Sequence, residues 1–425
     1  MCYRGTAVTC VRRFYEQRQN ILLWTANDKP MNRADSVITF IGNLRYYGLL
    51  PENYHFEEIQ NLRKELGSGE NILRFEALLT DSYIAMVRHI WLGRTAAVTP
   101  QADSVAISLL ESAFREGGIV NNIIVMENSL SGYRSLKIGL RLFLDSLSQE
   151  QRQAALLNSA SDAEVNKSIQ TIEVNLERWR KEKQVFGDRY IFVNIPEFML
   201  YLIENDSVIL ESKIIVGTPE KQTPEFSSIL ECFITYPYWY VPRKIAIEEY
   251  LPAIQADTSF LNRNNFDVLN GKGHVLNADS IDWKRLNENY FPVRLRQREG
   301  PENALGIIKF TFDNPYAVFL HDTNVKRLFR SKVRAFSHGC IRVEKAVELS
   351  HYLVTGDLNK KSKYVERFLK EESRHTVELQ RPIPIHIRYF TCYFRKGQLK
   401  CYDDIYQKDS LVGNQLYASK TGPGF

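Results

Sequence analysis

The hydrophobic period of this chain changes near Arg189, and that change bounds what it can fold into. Before it, apolar residues recur at helical spacing. Val37, Ile38, Ile41, Leu44 and Tyr47 mark one face of a helix over 36–49, stopped by Gly48-Leu49-Leu50-Pro51. Similar patterns predict helices over 71–90, 106–114 and 133–147. Beyond Arg189 the stretches 189–194, 197–204 and 207–216 are short and rich in Ile, Val, Phe and Tyr. They are broken at Ile195-Pro196 and Asn205-Asp206, as in an antiparallel meander. Helices first and strands afterwards read as α+β, with the two periods in separate domains.

The length, 425 residues, allows two or three domains, each with its own core. The apolar (44%) and charged (25%) fractions are those of ordinary globular proteins. A formal net charge of +5 is small for this size and argues against nucleic acid as a partner; a mild preference for an anionic cell-wall polymer is the most it supports. No apolar run approaches the roughly 18 residues of a spanning helix. The start, Met1-Cys2-Tyr3-Arg4-Gly5-Thr6, lacks an apolar stretch of secretory length. Three readings stay open: a removed export signal, a chain that begins downstream of one, or a protein that stays inside. Six cysteines in a chain this long do not make a disulfide scaffold.

These patterns divide the chain into a helical domain over 1–160, a connecting helix over 161–186, a strand-rich domain over 187–358 and a C-terminal extension over 359–425. The connecting helix opens on Ser161-Asp162-Ala163-Glu164, which has the form of a capping box. Val165, Ile169, Ile172, Leu176 and Trp179 then make one apolar stripe, read as core packing. Within the strand-rich domain, 233–241 reads as a strand ending in Tyr236, Tyr238, Trp239 and Tyr240. Tyr238 and Trp239 are candidate substrate contacts, with core packing the competing reading. From 244 to about 302 the strand rhythm stops. A helix over 245–254, an Asn-rich stretch and aromatic residues predict a folded capping insertion rather than an open loop. Its arginines, Arg294, Arg296 and Arg298, fit either a solvated face or carboxylate recognition. In the extension, 383–395 and 398–402 read as a hairpin about Lys396-Gly397. A two-residue loop would set Cys392 opposite Cys401 at a pair spacing short enough for a disulfide.

The chemistry concentrates in Ala335-Phe336-Ser337-His338-Gly339-Cys340-Ile341-Arg342-Val343 and, 19 residues before the cysteine, in Phe319-Leu320-His321-Asp322-Thr323. A cysteine nucleophile acts as thiolate, and a nearby imidazole can take its proton. Gly339 allows the tight turn that exposes backbone N–H groups to an oxyanion. Taken alone, one Cys and one His are more often core residues. A zinc site built from His321, Asp322, His338 and Cys340 is a further alternative, although His-x-Cys is not a usual zinc spacing.

The string Ser337-His338-Gly339-Cys340-Ile341-Arg342, with His321-Asp322-Thr323 upstream, closely resembles the signature of the YkuD-type L,D-transpeptidases, cysteine enzymes that cross-link peptidoglycan. Gly217-Thr218-Pro219-Glu220-Lys221-Gln222-Thr223-Pro224 also resembles that family. Tyr47 to His55 and Ala77 to Asp81 look like the helical scaffold region of its larger, periplasmic members, in which an insertion at the matching place covers the active site. The resemblance implies a mostly antiparallel, β-sandwich-like catalytic domain. It implies Cys340 as nucleophile, His321 as proton donor and acceptor, and His338, Gly339 and Ser337 as residues that shape the turn and support the oxyanion. The family orients its histidine through the following backbone carbonyl, here that of Asp322; the Asp322 side chain is the alternative. Arg342 is a candidate for a substrate carboxylate, with a structural ion pair as the other reading.

The implied reaction is transfer of a tetrapeptide stem to the amine of a second stem, with release of D-Ala and formation of a 3→3 cross-link. Hydrolysis of the same thioester, as in an L,D-carboxypeptidase, and a non-catalytic wall-binding scaffold are the alternatives. The implied partners are peptidoglycan stem peptides, with carbapenem-type inhibitors expected to acylate Cys340. No metal or cofactor is called for. The periplasm or cell envelope follows from the substrate alone.

Overall fold

The computed structural model describes residues 6–156, 162–355 and 361–417. Backbone contacts divide the chain into two units, one of residues 1–185 with 390–425, the other of residues 186–389. The fold is α+β: a helical N-terminal region and a mostly sheet domain after it.

The first unit is built on helices Asn32–Gly42, Gly69–Leu92, Pro100–Glu116, Ser131–Ser146 and Ala163–Lys181. The 36–49 prediction resolves into Asn32–Gly42 and a tighter turn Leu44–Tyr47. Gly48 closes it at φ 66°, and a Cβ there would come within 2.8 Å of Leu176. At the unit's centre the buried Glu76 carboxylate accepts the backbone N–H groups of Leu23, Trp24 and Thr25 and the Tyr15 hydroxyl. A charge so well hydrogen-bonded is a structural anchor. The Ala163–Lys181 helix belongs to this unit, and its whole apolar stripe is buried. Its N-cap is Asp162, which accepts from Glu164 and Val165; Ser161, expected to share in the cap, lies outside the described residues.

The C-terminal residues return to the same helix. Asn175 exchanges two hydrogen bonds of 2.8 Å with Thr391, and Trp179 stacks on Phe390 at 4.0 Å. Gly132 and Gly139 of the Ser131–Ser146 helix make room for Trp179 and for Phe394 of the C-terminal hairpin.

The second unit is organised by a sheet with nine strands among the described residues: β1 Arg189–Asn194, β2 Met199–Glu204, β3 Ser207–Gly217, β4 Phe226–Thr235, β5 Ile308–Phe312, β6 Leu320–His321, β7 Ala335–Ser337, β8 Ile341–Val343 and β9 His375–Arg388. The order is β7-β3-β8-β6-β5-β4-β9-β1-β2, and β2 pairs in turn with β3, so the sheet closes on itself. The long β3 makes the closure possible. Its first half pairs with β2, while Ile214 and Ile215 pair with β8 and Val216 and Gly217 with β7. Most pairings are antiparallel; β6–β8, β7–β3 and β9–β1 are parallel.

Two boundaries differ from the sequence reading. The strand expected over 233–241 breaks at Tyr236, whose φ is +44°, ahead of Pro237. Trp239–Tyr240 then pairs inside the cap. The hairpin expected to begin at Ile383 is two pieces: β9 lies in the middle of the catalytic sheet, and only Cys392–Arg395 pairs with Gln398–Cys401. Pro382 and Pro384 lie at or beside a register shift of this strand, between Glu378 and Ile383. The strand-rich unit therefore runs past 358 to residue 389.

Residues 239–297 form the cap. Its strands Trp239–Tyr240, Arg294–Gln297, Phe266–Leu269 and Val275–Leu276 make a separate four-stranded sheet. Leu251, Ile254, Phe266, Val268, Trp283 and Leu295 fill its own core. The helical stretch from Arg243 to Ala256 holds a π turn at Ala246–Tyr250, next to Pro252, which removes one N–H from the ladder. Among the described residues no helix is long and apolar enough to cross a membrane.

Lys396 and Gly397 both take positive φ, 51° and 74°, as a two-residue type I′ loop requires, and Cys392 faces Cys401 in register. Both thiols are free here. Mild oxidation of the folded protein is expected to link these two residues and no others. Intact mass with peptide mapping reads the link; two alkylatable thiols after oxidation would contradict it.

Candidate active site

The pairing of β6 with β8 sets the site. It is parallel, with Leu320 opposite Ile341 and His321 opposite Arg342. Leu320, Ile341 and Val343 are buried in the core, so the alternate residues His321, Cys340 and Arg342 share the other face. On the far side of β6, Lys309 of β5 pairs with His321. The row Lys309, His321, Arg342 thus crosses three strands, with Cys340 a diagonal neighbour of His321.

A chain of side-chain bonds holds the turn before Cys340. The buried Ser337 hydroxyl accepts the Gly339 N–H at 3.1 Å and donates to the Cys340 carbonyl at 2.5 Å. The Thr223 hydroxyl donates to the Gly339 carbonyl at 2.9 Å and accepts the Gly217 N–H. Gly339 has φ +111°, a conformation that disfavours any side chain. Its N–H is occupied by Ser337, so Gly339 shapes the turn without offering a donor to an oxyanion. His338 turns away, and its Nε2 pairs with Glu249 of the cap, which also lies 3.5 Å from Lys221. The capping insertion is thereby tied to both loops that frame the cysteine.

His321 is buried, and its Nδ1 lies 2.5 Å from the Asp322 carbonyl. A carbonyl only accepts, so Nδ1 carries the proton and Nε2 is left as the basic nitrogen. The Asp322 side chain is used elsewhere: it accepts the Ile307 N–H at 3.1 Å and pairs with Lys326. Burial first, then the Arg342 guanidinium, lowers the imidazole pKa from 6.5 to about 3, against hydrogen bonds that the ring donates to the backbone of Asp322 and Leu305. Burial also pushes the Cys340 thiol up, while a backbone hydrogen bond from Phe319 and the cations Lys309 and Arg342 pull it back. Both shifts favour the neutral forms, thiol and imidazole.

Beside this face lies a cavity of about 450 Å³, lined by Tyr250, Arg263 and Phe266 from the cap and by Asn324, Val325 and Arg342 from the core, among others. The Arg342 Nε is buried and without a partner among the described residues. Arg263 is already engaged by Asp257 and Ser259. Three sequence candidates for substrate contact do not line the cavity. Asp322 braces its own loop. Tyr238 lies under the Arg296 and Arg374 guanidiniums and bonds Glu299. Trp239 packs on Tyr250 and Phe266 of the cap. Within the arginine run, Arg296 and Arg298 pair with Asp267 inside the cap.

Sequence reading missed Lys309, Glu249 and Tyr250. The alternation of β5, with Ile308, Phe310 and Phe312 buried, was the one available signal for Lys309. Among the described residues no cluster of three or more His, Cys, Asp or Glu has metal-holding geometry.

The closed, mostly antiparallel sheet thus carries a cysteine and a carbonyl-oriented histidine on neighbouring strands, with a capping insertion above them. Residues 188–365 match the family model described as the L,D-transpeptidase catalytic domain (YkuD), and residues 9–140 match one described as a scaffold domain. The chain therefore carries a YkuD-type L,D-transpeptidase catalytic domain together with a scaffold domain. It is 34% identical over 226 residues to a Haemophilus influenzae protein named "Putative L,D-transpeptidase", a match covering 52% of this chain and 45% of that one. The chain thus spans less than half the length of this curated relative. Two solved structures are distant. "L,D-transpeptidase from Mycobacterium smegmatis" has a TM-score of 0.23 and 11% identity over 47% of this chain and 58% of that one. "Structure of the Ldtfm-avibactam carbamoyl enzyme" has a TM-score of 0.20 and 13% identity over 48% and 49%. Superpositions this loose decide nothing about the site.

The buried imidazole makes stability depend on pH. The unfolded chain binds a proton near pH 6.5 that the folded chain refuses until about 3, so stability is full above about 6.5 and is lost as pH falls toward about 3. The effect is on the order of a few kcal/mol. Melting of the native protein is expected to fall more steeply with acidification than that of His321→Asn. His89 of the first unit, also lowered to about 3, is present in both proteins. Parallel curves would contradict this account of His321.

Proposed function

We propose that this protein is a peptidoglycan L,D-transpeptidase that forms 3→3 cross-links through a thioester on Cys340. As a stem tetrapeptide binds, Nε2 of His321 takes the thiol proton and the sulfur attacks the carbonyl of the third residue. The tetrahedral intermediate collapses, His321 returns the proton to the departing amine, and D-Ala leaves. The side-chain amine of a second stem then attacks the thioester, the new amide forms, and the thiol is restored. The Cys340 N–H has no partner among the described residues and is the natural donor to the oxyanion. Arg342 takes a substrate carboxylate in the cavity under the cap. Its unpartnered Nε, set two residues from the nucleophile, supports that role. A periplasmic or cell-envelope location goes with this substrate, and a carbapenem would acylate the same sulfur.

The observation that carries the reading is the β6–β8 register, which puts Cys340 and His321 on one face with the imidazole oriented by the Asp322 carbonyl. Muropeptide analysis after incubation with tetrapeptide substrate tests it. Cross-linked dimers and free D-Ala are expected, and Cys340→Ala is expected to lose both by at least about a thousandfold. Trimmed monomers without dimers would move the assignment to a carboxypeptidase. Unchanged turnover in Cys340→Ala would overturn the mechanism.

A further inference from the structure

Lys309 has no place in the family signature, yet it stands in the centre of the site. It pairs with His321 across β5 and β6, which puts its side chain on the face that bears Cys340. Its ammonium sits 4.0 Å from the centroid of the Phe319 ring, and that ring is 5.5 Å from the His321 imidazole. Among the described residues no carboxylate forms an ion pair with it. A half-buried lysine with no anion beside it is costly to keep charged unless an anion forms nearby during function. Burial lowers its pKa, and the two groups that raise it again are Cys340 and Cys232.

The other charged and titratable groups around it act differently. Arg342 and His321 lie on its own row. Cys232, on β4, is a diagonal neighbour opposite Thr311, with Glu378 of β9 beyond it. Tyr250 acts on Arg342, and Glu249 and His338 are engaged with each other. Once Arg342 holds a substrate carboxylate, Lys309 is the cation left in the row Lys309, His321, Arg342.

We propose that Lys309 is a positioning residue for the nucleophile: seated on Phe319, its ammonium stabilises the Cys340 thiolate while keeping His321 in its free-base form. One positive charge acts on both partners: on the sulfur it helps ionisation, and on the imidazole it opposes holding the proton, which favours its release to the departing amine. The aromatic face holds the ammonium without neutralising it, as a carboxylate partner would.

The inference rests on Cys340 being the nucleophile of the proposed function, and its test reads thiol acidity without turnover. Iodoacetamide alkylation of the full chain is followed across pH, with the Cys340 peptide quantified by mass spectrometry so that Cys232 is scored separately. Lys309→Met is expected to move the Cys340 profile upward by about one pH unit, a roughly tenfold slower reaction near neutrality. Lys309→Arg is expected to restore the native profile. Phe319→Leu, which removes the seat and keeps the charge, is expected to shift it in the same direction by less, and it serves if Lys309→Met does not fold. A native profile in folded Lys309→Met, or in Phe319→Leu, would overturn the proposal. So would a Lys309→Arg shift as large as that of Lys309→Met. A thiol that responds to Lys309 in a protein that makes no cross-links would leave this inference standing while the assigned reaction fell.

Discussion

The site depends on one short parallel ladder. β6 contributes only Leu320 and His321, and β8 only three residues, yet their pairing decides which side chains meet. A slip of one residue would turn His321 into the core and Leu320 out of it. The register is fixed from both sides, because β6 also pairs with β5 and β8 with β3. Leu320 and Ile341 are wholly buried, so the apolar core and the chemistry are set by the same alternation.

That arrangement places opposing demands on the two reacting groups. Burial disfavours charge on both, raising the thiol and lowering the imidazole. The fold compensates with fixed partners. The Asp322 carbonyl sets the tautomer, Ser337 and Thr223 hold the turn, and Lys309 and Arg342 surround the sulfur with positive charge. The cap adds a third layer through Glu249, whose carboxylate meets both His338 and Lys221. The Cys340 loop is thus braced by the sheet and by the capping insertion.

Much of this was legible in the residues, because local chemistry and local period report on local structure. The switch near Arg189 marked the change from helix to sheet, and the Cys340 and His321 segments stood out through their resemblance to the YkuD signature, since one Cys and one His alone read as core residues. What escaped was non-local. β9 is central to the sheet, but its second half read as one arm of the C-terminal hairpin, because nothing local tells which strand it pairs with. Tyr238 and Trp239 were candidate substrate contacts with core packing as the other reading; past Tyr236, at φ +44°, Trp239 packs on the cap's Tyr250 and Phe266 and Tyr238 lies under Arg296 and Arg374. Asp322 could be identified as the partner of His321 but not by which atom, since carbonyl and carboxylate sit on the same residue. Lys309 lies on a strand with no motif, and its meaning comes only from the strand beside it.

The central claim is that one sulfur and one imidazole, brought together by the β6–β8 register, perform acyl transfer. Mass spectrometry of a single turnover tests it most directly. On rapid mixing with a donor tetrapeptide and no acceptor, the account predicts a transient acyl adduct on the Cys340 peptide and none in His321→Ala. An adduct on any other residue, or an undiminished rate of adduct formation in His321→Ala, would contradict it.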